Sequence, residues 1–280
     1  MSKIRSCWSG TRFHNLLKEG RGQGVLKNYI PFIQIHDIPS TGICSRVKSA
    51  TVGSVHHLLS RNELAFFYLK DFDDEVTDIR EQYPLLDPSN LHDLTGIVKM
   101  ADAMGIKYPR DPKNHYPYVM TTDFLITQKD GLHAYSIKES KTYSIPRIKE
   151  LQEFERRYWE WLGIPWEIVT EQEINYNQVQ NIQWIYNAWD IDNLFPDEKL
   201  RSEVMRYEIF LYENTGYSIL KIAKEAEKYF NLKGGAGLTV FQRLLWEKRL
   251  VISIDKPLAL MTPRLDKINR GEYSCSEAFL

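Results

Sequence analysis

The stretch TTDFLITQKDGLHAYSIKESK, residues 121–141, constrains the fold of this chain more than any other. It reads as a β-hairpin, with residues 121–126 as one strand, 127–131 as the turn and 133–138 as the return strand. Lys129-Asp130-Gly131 supplies the turn chemistry, because Asp-Gly tolerates the positive φ that tight hairpins demand. Side chains alternate along a strand, so Ser136 and Lys138 share one face while Tyr135 and Ile137 take the other. Asp123 then sits across the hairpin from Lys138. An acid and a lysine on neighbouring strands, with an apolar residue just before the lysine, is how many metal-dependent nucleases are built. It is equally the pattern of an amphipathic hairpin with a surface charge pair, so the flanking elements must decide.

Upstream, a helix begins at Ser60. Ser60 is its N-cap and Glu63 its third residue, the Ser-x-x-Glu of a capping box, with Leu64, Phe67 and Tyr68 following at helical spacing. Residues 71–75 form an acidic turn, and 76–84, VTDIREQYP, a strand. A helix over 91–104 is closed by Gly105, and Pro109, Pro112 and Pro117 mark the loop that enters the hairpin. Downstream, residues 146–161 are amphipathic, with Ile148, Leu151, Phe154, Tyr158 and Trp161 along one face, and 165–170 form the next strand. Before all of these, residues 29–33 read as a short strand, 39–42 as a turn and 46–54 as a strand or loop. The pattern predicts an α/β domain with a mixed sheet over residues 1–174.

Residues 175–280 differ in character. A helix over 175–188 and a linker over 190–196 precede three helices, 198–212, 218–230 and 239–249. Strands at 250–254 and 258–261 follow, around Asp255-Lys256-Pro257. Three helices and a β-ribbon describe a winged-helix-like domain, which binds DNA through its third helix or a protein through the same surface. Lys248, Arg249, Lys256 and Arg264 favour DNA; the many acids between Glu198 and Glu227 favour a protein.

The net charge of −1 gives no global nucleic-acid signature, but the charge is unevenly placed. Residues 1–50 carry eight Lys/Arg against Glu19 and Asp37, whereas 61–90 carry eight Asp/Glu against Arg61, Lys70 and Arg80. A basic arm beside an acidic cluster suits a protein that grips phosphates in one place and binds cations in another. Arg12, Lys18, Arg21 and Lys27 are the candidates for DNA contact. Gly20, Gly22 and Gly24 in GRGQG lack the spacing of a P-loop; they form a connector, or bring backbone N–H groups and Arg21 to phosphates. Cys7, Cys44 and Cys275 are scattered thiols without a CxxC pair, which argues against zinc and for a reducing cytoplasm. No apolar run reaches the roughly 18 residues of a membrane span.

Glu63 on a helix, Asp123 on a strand and Lys138 on the next have the order of a restriction-endonuclease-like core. Two carboxylates can hold Mg²⁺, a hard ion that prefers oxygen ligands. The metal polarises a phosphate and acidifies a water, and the lysine positions that water. The backbone carbonyl of Ile137 can add a ligand. A rival register, Glu139-Ser140-Lys141, lies on the opposite face and would put Ser140 in the core of a central strand. His56 and His57 are adjacent and face different ways, so they form no metal pair; Asp78 and Glu81 either extend the acidic pocket or pair with Arg80, and Gln82 is a secondary polar contact.

At these residues the chain resembles the TnsA family, the endonuclease subunit of multi-subunit cut-and-paste bacterial transposons. The resemblance runs through KEGRGQG (18–24), YIPF (29–32), the Pro-Ser-x-Gly turn (39–42), VHHLL (55–59), ELAFF (63–67) and DIREQYPLL (78–86). It continues through TDFL (122–125), ERRYW (155–159) and IPW (164–166), and weakens over the last 90 residues. It implies a restriction-endonuclease-like catalytic domain, a winged-helix-like C-terminal domain, and cutting at the 5′ ends of a mobile element. The implied partners are transposon-end DNA, a TnsB-like transposase and a TnsC-like AAA+ ATPase. Carried over by position, Glu63 and Asp123 are metal ligands for Mg²⁺, or Mn²⁺ in its place, and Lys138 is the catalytic lysine. The family pattern expects Gln-x-Lys, and this chain has Ser136-Ile137-Lys138. Serine is a short neutral ligand, so Ser136 is the departure within the catalytic set. The alternatives are a non-catalytic DNA-bridging subunit of the same complex and a stand-alone nuclease.

Overall fold

Ser9 starts the first helix, α1 (Gly10–Lys18), by accepting a hydrogen bond from the Arg12 N–H. Phe13 and Leu17 on its inner face pack with Phe32, Leu86, Leu94 and Val119. The GRGQG segment then folds back on itself: the Gly22 N–H donates to the Ile30 carbonyl at 2.6 Å and the Ile30 N–H to the Gln23 carbonyl at 3.2 Å. Gly22 has a physical reason to be glycine, since φ is +71° and an added Cβ would lie 2.4 Å from Pro84 Cγ. The strand expected at 29–33 is reduced to isolated bridges at Ile30. Instead, the Tyr29 hydroxyl donates to the Glu81 carbonyl and the Phe32 N–H to the Gln82 carbonyl, at 3.0 and 3.3 Å.

The computed structural model describes residues 8–37, 43–188, 195, 197–261 and 269–270; the turn expected at 39–42, nearly all of the linker at 190–196 and the tail lie outside them. Strands β1 (Ser45–Lys48) and β2 (Val55–Leu58) form an antiparallel hairpin, with Arg46 opposite His57. The sequence pattern anticipates a strand only in the first half of this hairpin. Helix α2 (Arg61–Asp71) is capped as expected, Ser60 Oγ accepting from the Glu63 N–H at 3.1 Å. Strand β3 (Val76–Pro84) has the predicted limits. Helix α3 (Thr95–Ala103) is shorter than predicted, because Asp93 accepts from the Thr95 N–H and hydroxyl and so starts it late.

The central hairpin is β4 (Thr121–Gln128) and β5 (Gly131–Lys138), with Gly131 at φ +136°. It is followed by α4 (Ser140–Tyr143), α5 (Pro146–Trp161) and β6 (Trp166–Thr170). The sheet order is β3-β4-β5-β6, antiparallel except for the parallel β5–β6 pair, so the sheet is mixed and the unit α/β. Phe66 of α2 packs on the Phe124–Tyr135 pair. Phe154, Tyr158 and Trp159 of α5 cluster with Leu125 and Ala134, the neighbouring pair. Adjacent pairs point to opposite faces, so α2 and α5 sandwich the sheet. The buried face of α5 is turned from the one predicted: Gln152 and Glu155 are inside, and Trp161 is 51% exposed.

Met1–Ile174 and Asn175–Leu280 form two compact units. The second contains α6 (Tyr176–Tyr186), α7 (Glu198–Asn214), α8 (Ile219–Tyr229), α9 (Ala236–Trp246), β7 (Leu250–Val251) and β8 (Asn269–Arg270). The expected second ribbon strand at 258–261 is not a strand; the Leu260 carbonyl accepts from the Leu220 N–H, and β7 pairs with β8 instead. Among the described residues no helix is long and apolar enough to cross a membrane.

Candidate active site

The site opens where two strands part. The β4–β5 ladder ends at Phe124–Tyr135, while β5 continues alongside β6 through Ser136–Ile168, Ile137–Val169 and Lys138–Thr170. Parting leaves the Ile137 N–H without a β4 carbonyl, and a buried donor must be satisfied. Asp123 does this: its Oδ2 accepts from the Ile137 N–H at 2.6 Å. The same oxygen accepts from Lys138 Nζ at 2.7 Å, and Lys138 Nζ also donates to the Ile137 carbonyl at 3.1 Å. Asp123, Ile137 and Lys138 are therefore a single cluster built by the divergence of the hairpin.

Glu63 joins them from α2. It is 6% exposed, and its Oε2 accepts from the Leu59 N–H at 3.0 Å, extending the capping arrangement by one residue. Burial first, and then the neighbouring Asp123, push its carboxyl from the ordinary 4.5 up to about 7. Burial pulls the Lys138 ammonium down, but Asp123, Glu155 and Glu63 outweigh it and hold the group above its usual value. Between the two carboxylates lies the Gln82 amide, with Nε2 at 3.5 Å from both Glu63 Oε2 and Asp123 Oδ1.

Ser136, placed in the catalytic set by position, is fully buried, and its hydroxyl donates to Glu155 Oε2 at 3.2 Å. Glu155 of α5 is a residue the sequence reading missed. It also accepts from the Thr122 hydroxyl at 2.8 Å, Trp166 Nε1 at 3.1 Å and the Gln152 amide at 3.3 Å. Burial keeps its carboxyl above the normal range, although Lys138 draws it down. The available signal was an acid on what should have been the apolar face of α5.

The rival register ends outside the sheet. Glu139 precedes α4, Lys141 pairs with it at 2.8 Å on the surface, and Ser140 is held by Glu171. His56 is buried against Glu81 at 2.6 Å, and Asp78 pairs with Arg80 at 3.2 Å, so these acids are engaged locally. Of the candidate DNA contacts, Lys18 and Lys27 are exposed and Arg12 is half-buried. Arg21 is 6% exposed, and its guanidinium is bound to Asp37 at 2.6 Å, the Phe32 carbonyl at 3.3 Å and Glu19 at 3.3 Å. Its described bonds are those of a structural residue.

Two carboxylates and a carbonyl make an all-oxygen donor set, the chemistry a hard divalent cation takes. The ammonium of Lys138, drawn to both Asp123 and the Ile137 carbonyl, shows that these oxygens attract a cation. Among the described residues no group of three or more His, Cys, Asp or Glu is gathered for a metal, so any ion would depend on the carbonyl as well.

Comparison with known proteins gives two family models: "TnsA-like endonuclease N terminal" matches residues 73–171 and "TnsA endonuclease C terminal" matches 173–254. The chain is similar to "Transposon Tn7 transposition protein TnsA" of Escherichia coli, at 35% identity over 247 residues, covering 87% of this chain and 86% of that protein.

Proposed function

This chain belongs to the TnsA endonuclease family of transposition proteins, and from that premise we propose that it hydrolyses the 5′ ends of a mobile element in a divalent-metal-dependent reaction. It is an endonuclease with a restriction-endonuclease-like α/β core. The observation that carries the finer reading is the convergence of Lys138 Nζ and the Ile137 N–H on Asp123 Oδ2, with Glu63 brought to the same place from α2.

Glu63, Asp123 and the Ile137 carbonyl would hold Mg²⁺, for which Mn²⁺ can substitute. When bound, the ion polarises the scissile phosphate and lowers the pKa of a water. Lys138 orients the attacking water and offsets negative charge on the phosphate, a task its raised proton affinity suits. The Ile137 N–H fixes the Asp123 carboxylate so that its other oxygen, Oδ1, faces Glu63 across the Gln82 amide. The products are a 3′-hydroxyl and a 5′-phosphate. Arg12, Lys18 and Lys27 contact the DNA backbone. A TnsB-like transposase and a TnsC-like AAA+ ATPase complete the complex.

One observation favours a second reading: Ser136 spends its hydroxyl on Glu155, as a decayed, DNA-bridging subunit would allow. Transposon-end cleavage with the two partners present, mapped on the 5′ strand, separates the readings. Wild type should cut and Asp123→Ala should fold but not cut. Equal cutting by Asp123→Ala refutes the catalytic role of the cluster, and no cutting by either supports the bridging subunit.

A further inference from the structure

Five non-glycine residues adopt positive φ among the described residues, and Gln82, at +48°, is the one inside a β-strand. This backbone shape is unfavourable for any residue with a Cβ. The fold has a use for the shape: it turns the Gln82 carbonyl towards the Phe32 N–H, 3.3 Å away. That bond is made by the backbone, so glycine would serve it without strain. The glutamine side chain must therefore be accounted for separately.

It is buried, 3% exposed, and lies opposite Asp123 between the paired positions Glu81–Phe124 and Tyr83–Thr122. Its Oε1 accepts from the Thr121 hydroxyl at 2.9 Å. Its Nε2 is 3.5 Å from an oxygen of Glu63 and 3.5 Å from an oxygen of Asp123. The amide is oriented by the carboxylates: Asp123 already accepts from the Ile137 N–H and Lys138, so Nε2 turns to the carboxylate oxygens, and the Thr121 hydroxyl, able to donate or accept, donates to Oε1. A neutral side chain suits this position. A cationic one would compete with a bound ion, and an acidic one would add a third repelling charge.

We propose that Gln82 is a positioning residue, whose amide bridges Glu63 and Asp123 and holds the two carboxylates ready as a ligand pair. This rests on reading those carboxylates as the metal site. Strain at the backbone is retained because the side chain pre-sets the site, and outer partners of this kind commonly govern ligand geometry.

The test compares wild type, Gln82→Gly, Gln82→Met and Asp123→Ala by Mn²⁺ titration calorimetry, and by thermal unfolding in chelator. Gln82→Gly keeps the backbone shape and removes only the side chain, and thermal unfolding checks that each variant is folded. Both Gln82 variants should bind Mn²⁺ roughly tenfold or more weakly, and Asp123→Ala should lose binding. Gln82→Met keeps the backbone and the bulk, so it decides the matter alone if the glycine variant misfolds. Wild-type affinity in Gln82→Met, with binding lost in Asp123→Ala, overturns the positioning role and leaves the metal site standing. Wild-type affinity in Asp123→Ala overturns both.

Discussion

Replacing Glu63 by glutamine should stabilise the metal-free protein at alkaline pH and change little in acid. The native carboxyl titrates at about 7 against 4.5 for the unhindered group. Well below pH 4.5 both native and unfolded chains carry the proton, and the group contributes no pH dependence. As pH rises from about 4.5 to about 7 the unfolded chain ionises first, so native stability falls; above that range the loss is complete and constant. Carrying the carboxyl from 4.5 to about 7, at about 1.4 kcal/mol per tenfold change in proton affinity, makes the loss about 3 kcal/mol. Glutamine is nearly isosteric, keeps an oxygen for the Leu59 N–H, and never ionises. The assay is urea unfolding in chelator across this range for wild type and Glu63→Gln. The difference between the two reports this group together with its interaction with Asp123, free of the groups that titrate elsewhere. Stability gained by the variant should grow from near zero to about 3 kcal/mol with rising pH. Excess Mg²⁺ should then reverse the order by stabilising wild type alone. Parallel pH profiles for the two proteins in chelator would refute the claim that the fold bears a cost for this carboxylate.

Ser136→Ala removes one donor from Glu155 but leaves Thr122, Trp166 and Gln152, so it should cost about 1 kcal/mol in urea unfolding and retain cleavage. Abolished cleavage in a folded Ser136→Ala would return the serine to the catalytic set. Arg21→Ala breaks a buried pair with Asp37 and should cost about 3 kcal/mol, with the salt dependence of DNA binding unchanged. A shallower salt slope would instead make Arg21 a phosphate contact.

The central elements were legible because their signals are local. Ser60 and Glu63 announce a helix start three residues apart, VTDIREQYP reads as one strand, and the Asp-Gly turn marks the central hairpin. The candidate site residues were read from their order along the chain, and the structure brings Glu63, Asp123 and Lys138 together. What escaped was decided between distant segments. Gln82 takes its backbone shape from Phe32, 50 positions earlier, and nothing in EQYP records that. Glu155 stands out in ERRYW only as an acid on an apolar face, and its partners Ser136, Thr122 and Trp166 come from three separate strands. Arg21 looks like part of a basic arm until Asp37 closes on it. Two adjacent histidines hid β2, because His56 is buried by pairing with Glu81 rather than by being apolar.

The parting of β4 and β5 has a mechanical meaning. Beyond Tyr135 the lysine strand remains fastened to β6, through Ser136, Ile137 and Lys138. The acid strand is held in the same way by β3, through Pro84–Thr121 and Tyr83–Thr122. Each prong of the fork thus keeps one hydrogen-bonded neighbour, and Asp123 Oδ2 ties the prongs together through the Ile137 N–H and Lys138 Nζ. The acid–lysine distance is therefore set from both sides of the sheet, with Gln82 and Thr121 clasping one another on the β3 side.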